Sequence, residues 1–218
     1  MACPADSTRR RLLPFRWPDF AGGQRYRDAG APVPSVAAAL AVDEGIDVIP
    51  VFINYGQRAF EREYEASKWV CVKLGLESPL VVDLSGYGAA IPSGLTRTDM
   101  DLNEDAFLPG RNLLMLLAGA SVAFSKGAAG VVIGLLDESV AIYPDQTSSF
   151  VQKAEEAIRA ALGETISVLT PLITLPKGTV IRLAREHGLT ETYSCHSGDA
   201  VPCGVCVACL EIITSVVE

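Results

Sequence analysis

The residues best suited to chemistry by type and spacing lie late in the chain. Tyr193-Ser194-Cys195-His196 leads to Cys203-Gly204-Val205-Cys206-Val207-Ala208-Cys209, which makes a Cys-x7-Cys-x2-Cys-x2-Cys array. A Zn2+ ion in a structural site takes four thiolate or imidazole ligands in a closed tetrahedron, and two-residue gaps let neighbouring sulfurs turn toward one ion. Gly204 permits the tight turn between Cys203 and Cys206, and Pro202 stiffens the approach. His196 competes as a ligand, but its side chain should point away from that of Cys195. Cys195, Cys203, Cys206 and Cys209 are therefore expected to bind one zinc. The alternative is a pair of disulfides or inert buried thiols, which the lack of a secretory signal disfavours. Four sulfurs leave no open coordination position, so the metal should hold the fold together and other residues should carry the reaction.

Three loops and one lysine offer such residues. Asn54-Tyr55-Gly56-Gln57 follows an apolar run and precedes a charged helix, where Tyr55 and Gln57 either hydrogen-bond a heterocycle or form an ordinary polar turn. Phe107-Leu108-Pro109-Gly110-Arg111-Asn112 enters an apolar helix. A helix N-terminus attracts anions, and the Arg111 charge adds to that field. The competing assignment makes Asn112 the N-cap and Arg111 a solvated side chain. In Tyr143-Pro144-Asp145, Asp145 either caps the next helix or meets an exocyclic amine of a purine-like ring. Asp137 and Glu138 on the same loop add acceptors that suit Mg2+ on nucleotide phosphates. Lys177 opens a further helix, where it neutralises a phosphate or simply faces solvent.

These segments need a scaffold that brings loops together, and the pattern of the chain supplies one. Short β-branched runs at residues 47–53, 79–83, 130–134 and 167–170 alternate with helical stretches at 35–44, 58–74, 112–126, 146–162 and 177–187. That alternation predicts an α/β domain with a doubly wound parallel sheet, whose ligands bind beyond the carboxyl ends of the strands. Gly45, Gly75, Gly127, Gly163 and Gly188 each follow a helical stretch and are expected to end it in a left-handed conformation. The expected organisation is an irregular segment 1–34, an α/β domain 35–190 and a zinc-binding segment 191–218. Residues 1–34 show no hydrophobic period and no apolar signal core.

At 218 residues the chain suits one well-buried domain. Its net charge of −8, with 18 Lys and Arg against 26 Asp and Glu, argues against a broad nucleic-acid or anionic-membrane surface and favours a small-molecule ligand. No apolar run approaches the roughly 20 residues that span a bilayer, so a soluble cytoplasmic protein is expected. Cys3 and Cys71 carry no spacing signal and are read as free thiols.

In their shared order, these segments resemble the 7-cyano-7-deazaguanine synthase family, a branch of the PP-loop ATP pyrophosphatase superfamily. The likeness runs from about Ser35 to Cys209. It comprises Asn54–Gln57, Phe107–Asn112, Gly134 with Tyr143-Pro144-Asp145 and Phe150, Pro171-Leu172 followed by Lys177, and the cysteine array. It implies an adenine-nucleotide α-hydrolase-like fold with a five-stranded parallel sheet. It further implies ATP-dependent activation of 7-carboxy-7-deazaguanine, amidation by ammonia, then a second activation and dehydration to the nitrile, with Mg2+ beside the phosphates. Arg111 and Lys177 would be the catalytic cations. Ser35, Tyr55, Gln57 and Asn112 would meet nucleotide, and Tyr143 and Asp145 would line the deazapurine pocket. Self-association as a homodimer is implied by the resemblance alone.

The chain departs from the family pattern at three places. The nucleotide loop Ser-Gly-Gly-x-Asp-Ser should end where Ser35 stands, but the residues here are Gly30-Ala31-Pro32-Val33-Pro34-Ser35. Two prolines remove N–H donors from a loop that presents them to phosphate. The family's Asp-Tyr-Ser-Gly-Tyr-Pro-Asp-Cys is Ser139-Val140-Ala141-Ile142-Tyr143-Pro144-Asp145-Gln146, and the arginine expected three places beyond the last cysteine is Ile212. The loop change leaves three accounts open: an N-terminus altered relative to an active ancestor, a degenerate site that binds ATP poorly or not at all, or nucleotide bound in another way. Three functions follow: the synthase itself, a related enzyme acting on another carboxylate or amine, and an inactive PP-loop-like binding module. Mg-ATP binding separates them.

Overall fold

The computed structural model describes residues 33–215. The expectations for residues 1–32 and for the last three residues lie outside it. Within the described residues, helices alternate with short parallel strands in the order α1 (Val33–Asp43), β1 (Val51–Asn54), α2 (Phe60–Lys73), β2 (Leu80–Asp83), α3 (Ser85–Ala90), α4 (Arg111–Lys126), β3 (Gly130–Val132), α5 (Ser148–Leu162), β4 (Ser167–Leu169), α6 (Lys177–Glu186) and α7 (Val207–Ser215). The α/β class and the parallel pairing agree with expectation.

The strands join two by two. β1 pairs with β2 from Val51 opposite Leu80 to Asn54 opposite Asp83, and β3 pairs with β4 from Gly130 opposite Ser167 to Val132 opposite Leu169. No hydrogen-bonded strand joins β1 to β3 among the described residues. Helix α4 packs on both β1 and β3 and so spans the two pairs.

Where element ends differ from the sequence pattern, local chemistry explains it. The first strand begins at Val51 and not at residue 47, because Pro50 has no N–H to donate; its carbonyl accepts from Leu80 at 2.9 Å just before the ladder starts. α1 begins at Val33, two residues early, since Pro34 is tolerated in a first turn where no intrahelical donor is needed. The helix expected over 146–162 is divided. Pro144–Gln146 is a separate 3-10 turn, Thr147 is extended, and its hydroxyl caps α5 by accepting from the Phe150 N–H at 3.2 Å. All five helix-ending glycines have positive φ.

Two apolar cores carry most of the packing. In one, Val36 and Leu40 of α1 meet Leu172 and Val180 and Leu183 of α6. In the other, Leu116 and Ala120 of α4 meet Val151, Ala154 and Ile158 of α5, a spacing of three and four residues that puts one helical face inward. Leu116 and Ile158 are each 1% exposed; burial of each such side chain contributes about 2 kcal/mol.

Candidate functional site

The turn after β1 is built by its own side chains. Asn54 donates from Nδ2 to Asp83 Oδ1 at 3.1 Å and accepts the Gly56 N–H on Oδ1 at 3.0 Å, which ties the ends of β1 and β2 together. Gln57 is buried. Its Oε1 accepts the Tyr55 N–H at 2.9 Å, while Nε2 donates to the Ile53 carbonyl at 3.2 Å and to Glu63 Oε2 at 3.1 Å. Both amide donors of Gln57 are therefore engaged within the protein, and its part here is to shape the turn. Tyr55 is buried beneath Arg111, whose guanidinium lies 5.9 Å from the ring centroid.

Arg111 is delivered by a turn that needs glycine. Gly110 has φ +71°, where a side chain would be strained, and the Arg111 N–H donates to the Leu108 carbonyl at 3.1 Å. Leu108 is buried, the Tyr87 hydroxyl holds the Pro109 carbonyl, and Phe107 rests on Tyr143 with ring centroids 5.0 Å apart. The N-cap of α4 is Gly110, so Asn112 does not cap it. Asn112 lies inside the first turn, buried, with Nδ2 donating to the Asp145 carbonyl at 2.8 Å and its own N–H reaching Asp145 Oδ2 at 3.4 Å. Asp145 likewise is not the cap of α5, since Thr147 fills that position. The Asn112–Asp145 pair locks the Tyr143 loop onto α4.

These loops enclose a cavity of about 540 Å³. Six of the residues singled out from the sequence line it: Ser35, Tyr55, Gln57, Arg111, Tyr143 and Lys177. Asn112 and Asp145 lie behind its wall. The inner edges of β1 and β3, through Phe52, Ile53, Val131 and Val132, form part of the lining, as does the start of α1. Gly134 closes against that start, for a Cβ on it would lie 2.9 Å from the Pro34 nitrogen. Lys177 is held by Glu211 of α7, Nζ to Oε2 3.3 Å, with its side chain only 13% exposed, so it does not face solvent freely. Asp137 also lines the cavity and caps the adjoining 3-10 turn by accepting from Ser139 at 2.9 Å. Glu138 accepts instead from the Ser148 N–H.

The electrostatics of the cavity follow from burial beside a cation. Desolvation, reinforced by Glu63 and opposed by Arg111, pushes the Tyr55 hydroxyl up to about 12, so it remains protonated as a donor. Glu63 is raised by desolvation, against the Gln57 hydrogen bond and the Arg111 charge. Tyr143 is raised by burial. His196 is drawn down to about 4 by burial and then by Arg111 and Lys177, so its ring is neutral near pH 7.

The four array cysteines converge. Their sulfurs all lie within 4.8 Å of one another, and Cys195, Cys206 and Cys209 are buried. A tetrahedron of bonds near 2.3 Å has edges of about 3.8 Å, so a small inward motion would close the set on one ion. All four are free thiols, which excludes the disulfide alternative, and Cys71 is free as well. Backbone N–H groups already point at the sulfurs: Cys203 donates to Cys195 Sγ and Cys206 to Cys203 Sγ, both at 3.3 Å. Such donors offset thiolate charge around a metal. The site can hold a metal ion such as Zn2+.

A family model described as "Queuosine biosynthesis protein QueC" matches residues 31–213. The chain belongs to the QueC family. Among its QueC-family relatives, a 7-cyano-7-deazaguanine synthase from Nautilia profundicola is 33% identical over 187 residues, covering 80% of this chain and 84% of that protein. The synthases of Aliarcobacter butzleri and Campylobacter jejuni subsp. doylei are 29% and 30% identical, covering 82% and 85% of their own lengths.

Three lining residues of this QueC-family cavity were not singled out from the sequence: Glu63, His196 and Glu211. Glu63 lies in the charged helix after the Gln57 turn, and its place one helical turn into α2 was the available signal. His196 was weighed only as a metal ligand; its ring does turn away from the cysteines, into the cavity. Glu211 had no signal, because it depends on α7, a helix not expected from the cysteine-rich sequence. Among the described residues, no helix is long and apolar enough to cross a membrane.

Proposed function

We propose that this protein converts 7-carboxy-7-deazaguanine and ammonia to 7-cyano-7-deazaguanine at the expense of ATP, in the cavity beneath Arg111. The observation that carries the reading is the convergence of Arg111, Lys177, Tyr55 and Tyr143 on one cavity, in a chain whose relatives are named for that synthesis. A carboxylate is a poor electrophile until one oxygen becomes a leaving group. The substrate carboxylate would attack the α-phosphorus of ATP and release pyrophosphate. Ammonia would then add to the acyl carbon as AMP departs, giving the amide. In a second round the amide oxygen would take an AMP group, and loss of AMP with two protons from nitrogen would leave the nitrile.

Each lining group has a part in that sequence. Arg111 and Lys177 supply fixed positive charge where carboxylate and phosphate oxygens crowd together, which lowers the barrier most when the donors are already in place. Tyr55 and Tyr143, protonated, donate hydrogen bonds and flank a planar ring. Mg2+, bound with ATP, would screen the phosphates, with Asp137 the carboxylate available in the wall. The cysteines hold a structural Zn2+, with no open position for substrate. The same reading includes a doubly wound sheet, with one more strand between the facing edges of β1 and β3.

A second reading is an inactive PP-loop-like binding module. The observation favouring it is Pro34, which sits at the cavity-facing start of α1 without an N–H for phosphate. Incubation of the zinc-loaded protein with Mg-ATP, ammonium and 7-carboxy-7-deazaguanine, followed by mass spectrometry, tests the pair. Amide, nitrile and AMP are expected. Mg-ATP binding without turnover of this substrate would favour a related carboxylate-activating enzyme, and no binding at millimolar Mg-ATP would favour the inactive module.

A further inference from the structure

His196 joins the two sites of the molecule. On one side its backbone N–H donates to Cys206 Sγ, so the main chain is fixed to the cysteine cluster. On the other, its ring lines the cavity, within electrostatic reach of Arg111 and Lys177. Nδ1 is buried and has no hydrogen-bond partner. Two other buried side-chain nitrogens share that condition, Arg58 Nε and Arg182 Nε, and neither residue lines the cavity. A polar atom cut off from water and left unpaired costs about 1–3 kcal/mol, and a ligand that pairs with it recovers that cost.

We infer that His196 is a ligand-contacting residue, with Nδ1 hydrogen-bonding the polar edge of a planar nitrogen heterocycle whose acidic group faces Arg111 and Lys177. This rests on the deazapurine reading above. The cation pair suits the anionic substituent, and the neutral imidazole suits the ring's N–H or nitrogen edge. The cysteine cluster thereby gains a second role, since it fixes the backbone from which this contact projects.

The test uses the full chain loaded with zinc and 7-carboxy-7-deazaguanine as the probe. His196→Phe keeps the ring volume and removes the hydrogen bond, while His196→Asn puts an amide, able to donate or accept, near the place of Nδ1. Calorimetry should show Kd raised about tenfold or more by His196→Phe, the worth of one buried hydrogen bond, and largely restored by His196→Asn. Zinc content and Tm should stay unchanged. In the wild-type chain, the Nδ1 resonance in 15N spectra should move when the probe is added. Equal affinity of wild type and His196→Phe, or an unmoved Nδ1 resonance in a wild-type chain that binds, would overturn the inference and leave the deazapurine reading standing. If the wild type does not bind the probe, both fall. Should His196→Phe fail to fold, the wild-type resonance alone decides.

Discussion

The cysteine cluster and the cavity lie back to back, yet they are built in opposite ways. The cluster is local: four sulfurs within fifteen residues of chain, buried, turned inward and ringed by backbone N–H groups. The cavity is collected from the start of α1, the turn after β1, the start of α4, the Tyr143 loop and the start of α6, each held by a different partner. A local site depends on spacing and is kept or lost as a unit. A collected site depends on the whole fold, and one altered wall can disable it while the others keep their places.

The largest effect should come from breaking the local site. Cys206 is 0% exposed, and Cys206→Ser removes a ligand that couples metal binding to folding. A loss of about 3 kcal/mol or more is expected, roughly 10 °C in Tm for a chain of this size, and the metal should be absent by elemental analysis. Arg111→Ala breaks the collected site instead. The rate, kcat/KM for the proposed substrate, should fall about 100-fold through lost charge stabilisation. The change in Tm should stay below about 3 °C, because only the contact over Tyr55 is lost.

Gly198 marks where the two regions touch. It has φ +80°, and a Cβ there would lie 2.4 Å from the Arg58 carbonyl, at the entry to α2. Gly198→Ala should cost about 1–2 kcal/mol from strain. Tm and ligand affinity should fall together, unlike the other two variants, as read by calorimetry and thermal melts.

The smallest effect tests a contact remote from both sites. Burial pulls His187 down, but the Leu183 carbonyl and Asp43, 2.8 Å from Nε2, hold it above its ordinary value. A histidine raised by folding stabilises fully below its unfolded value near 6.5 and loses that contribution as pH rises through its higher folded value. With Asp43 exposed and screened by water, the contribution is about 0.5 kcal/mol. Thermal melts from pH 5 to pH 8 should show it, and Asp43→Asn should abolish it.

The same contrast explains what could be read from the sequence. The cysteines were legible because their spacing is the site. The four strands and five longer helices were legible because each has its own apolar period and, at its end, a glycine such as Gly163. Helix α3 was not: Gly86 and Gly88 mask its propensity, and Gly88 is needed because a Cβ would lie 2.2 Å from the Tyr55 carbonyl. The roles of Asn112 and Asp145 were equally hidden. Both types suit caps, yet they bond to each other across 33 residues of chain, a pairing set by tertiary packing. Glu211 reached the cavity wall only through a helix that cysteine-rich sequence does not announce.

The account turns on carboxylate adenylation, and an isotope can follow it atom by atom. With both carboxylate oxygens of 7-carboxy-7-deazaguanine replaced by 18O, the AMP released in the presence of ammonium should carry one 18O atom in its phosphate, because the carboxylate oxygen leaves with it. AMP without the label, or no AMP at all from protein with its full complement of zinc, would contradict the proposed chemistry.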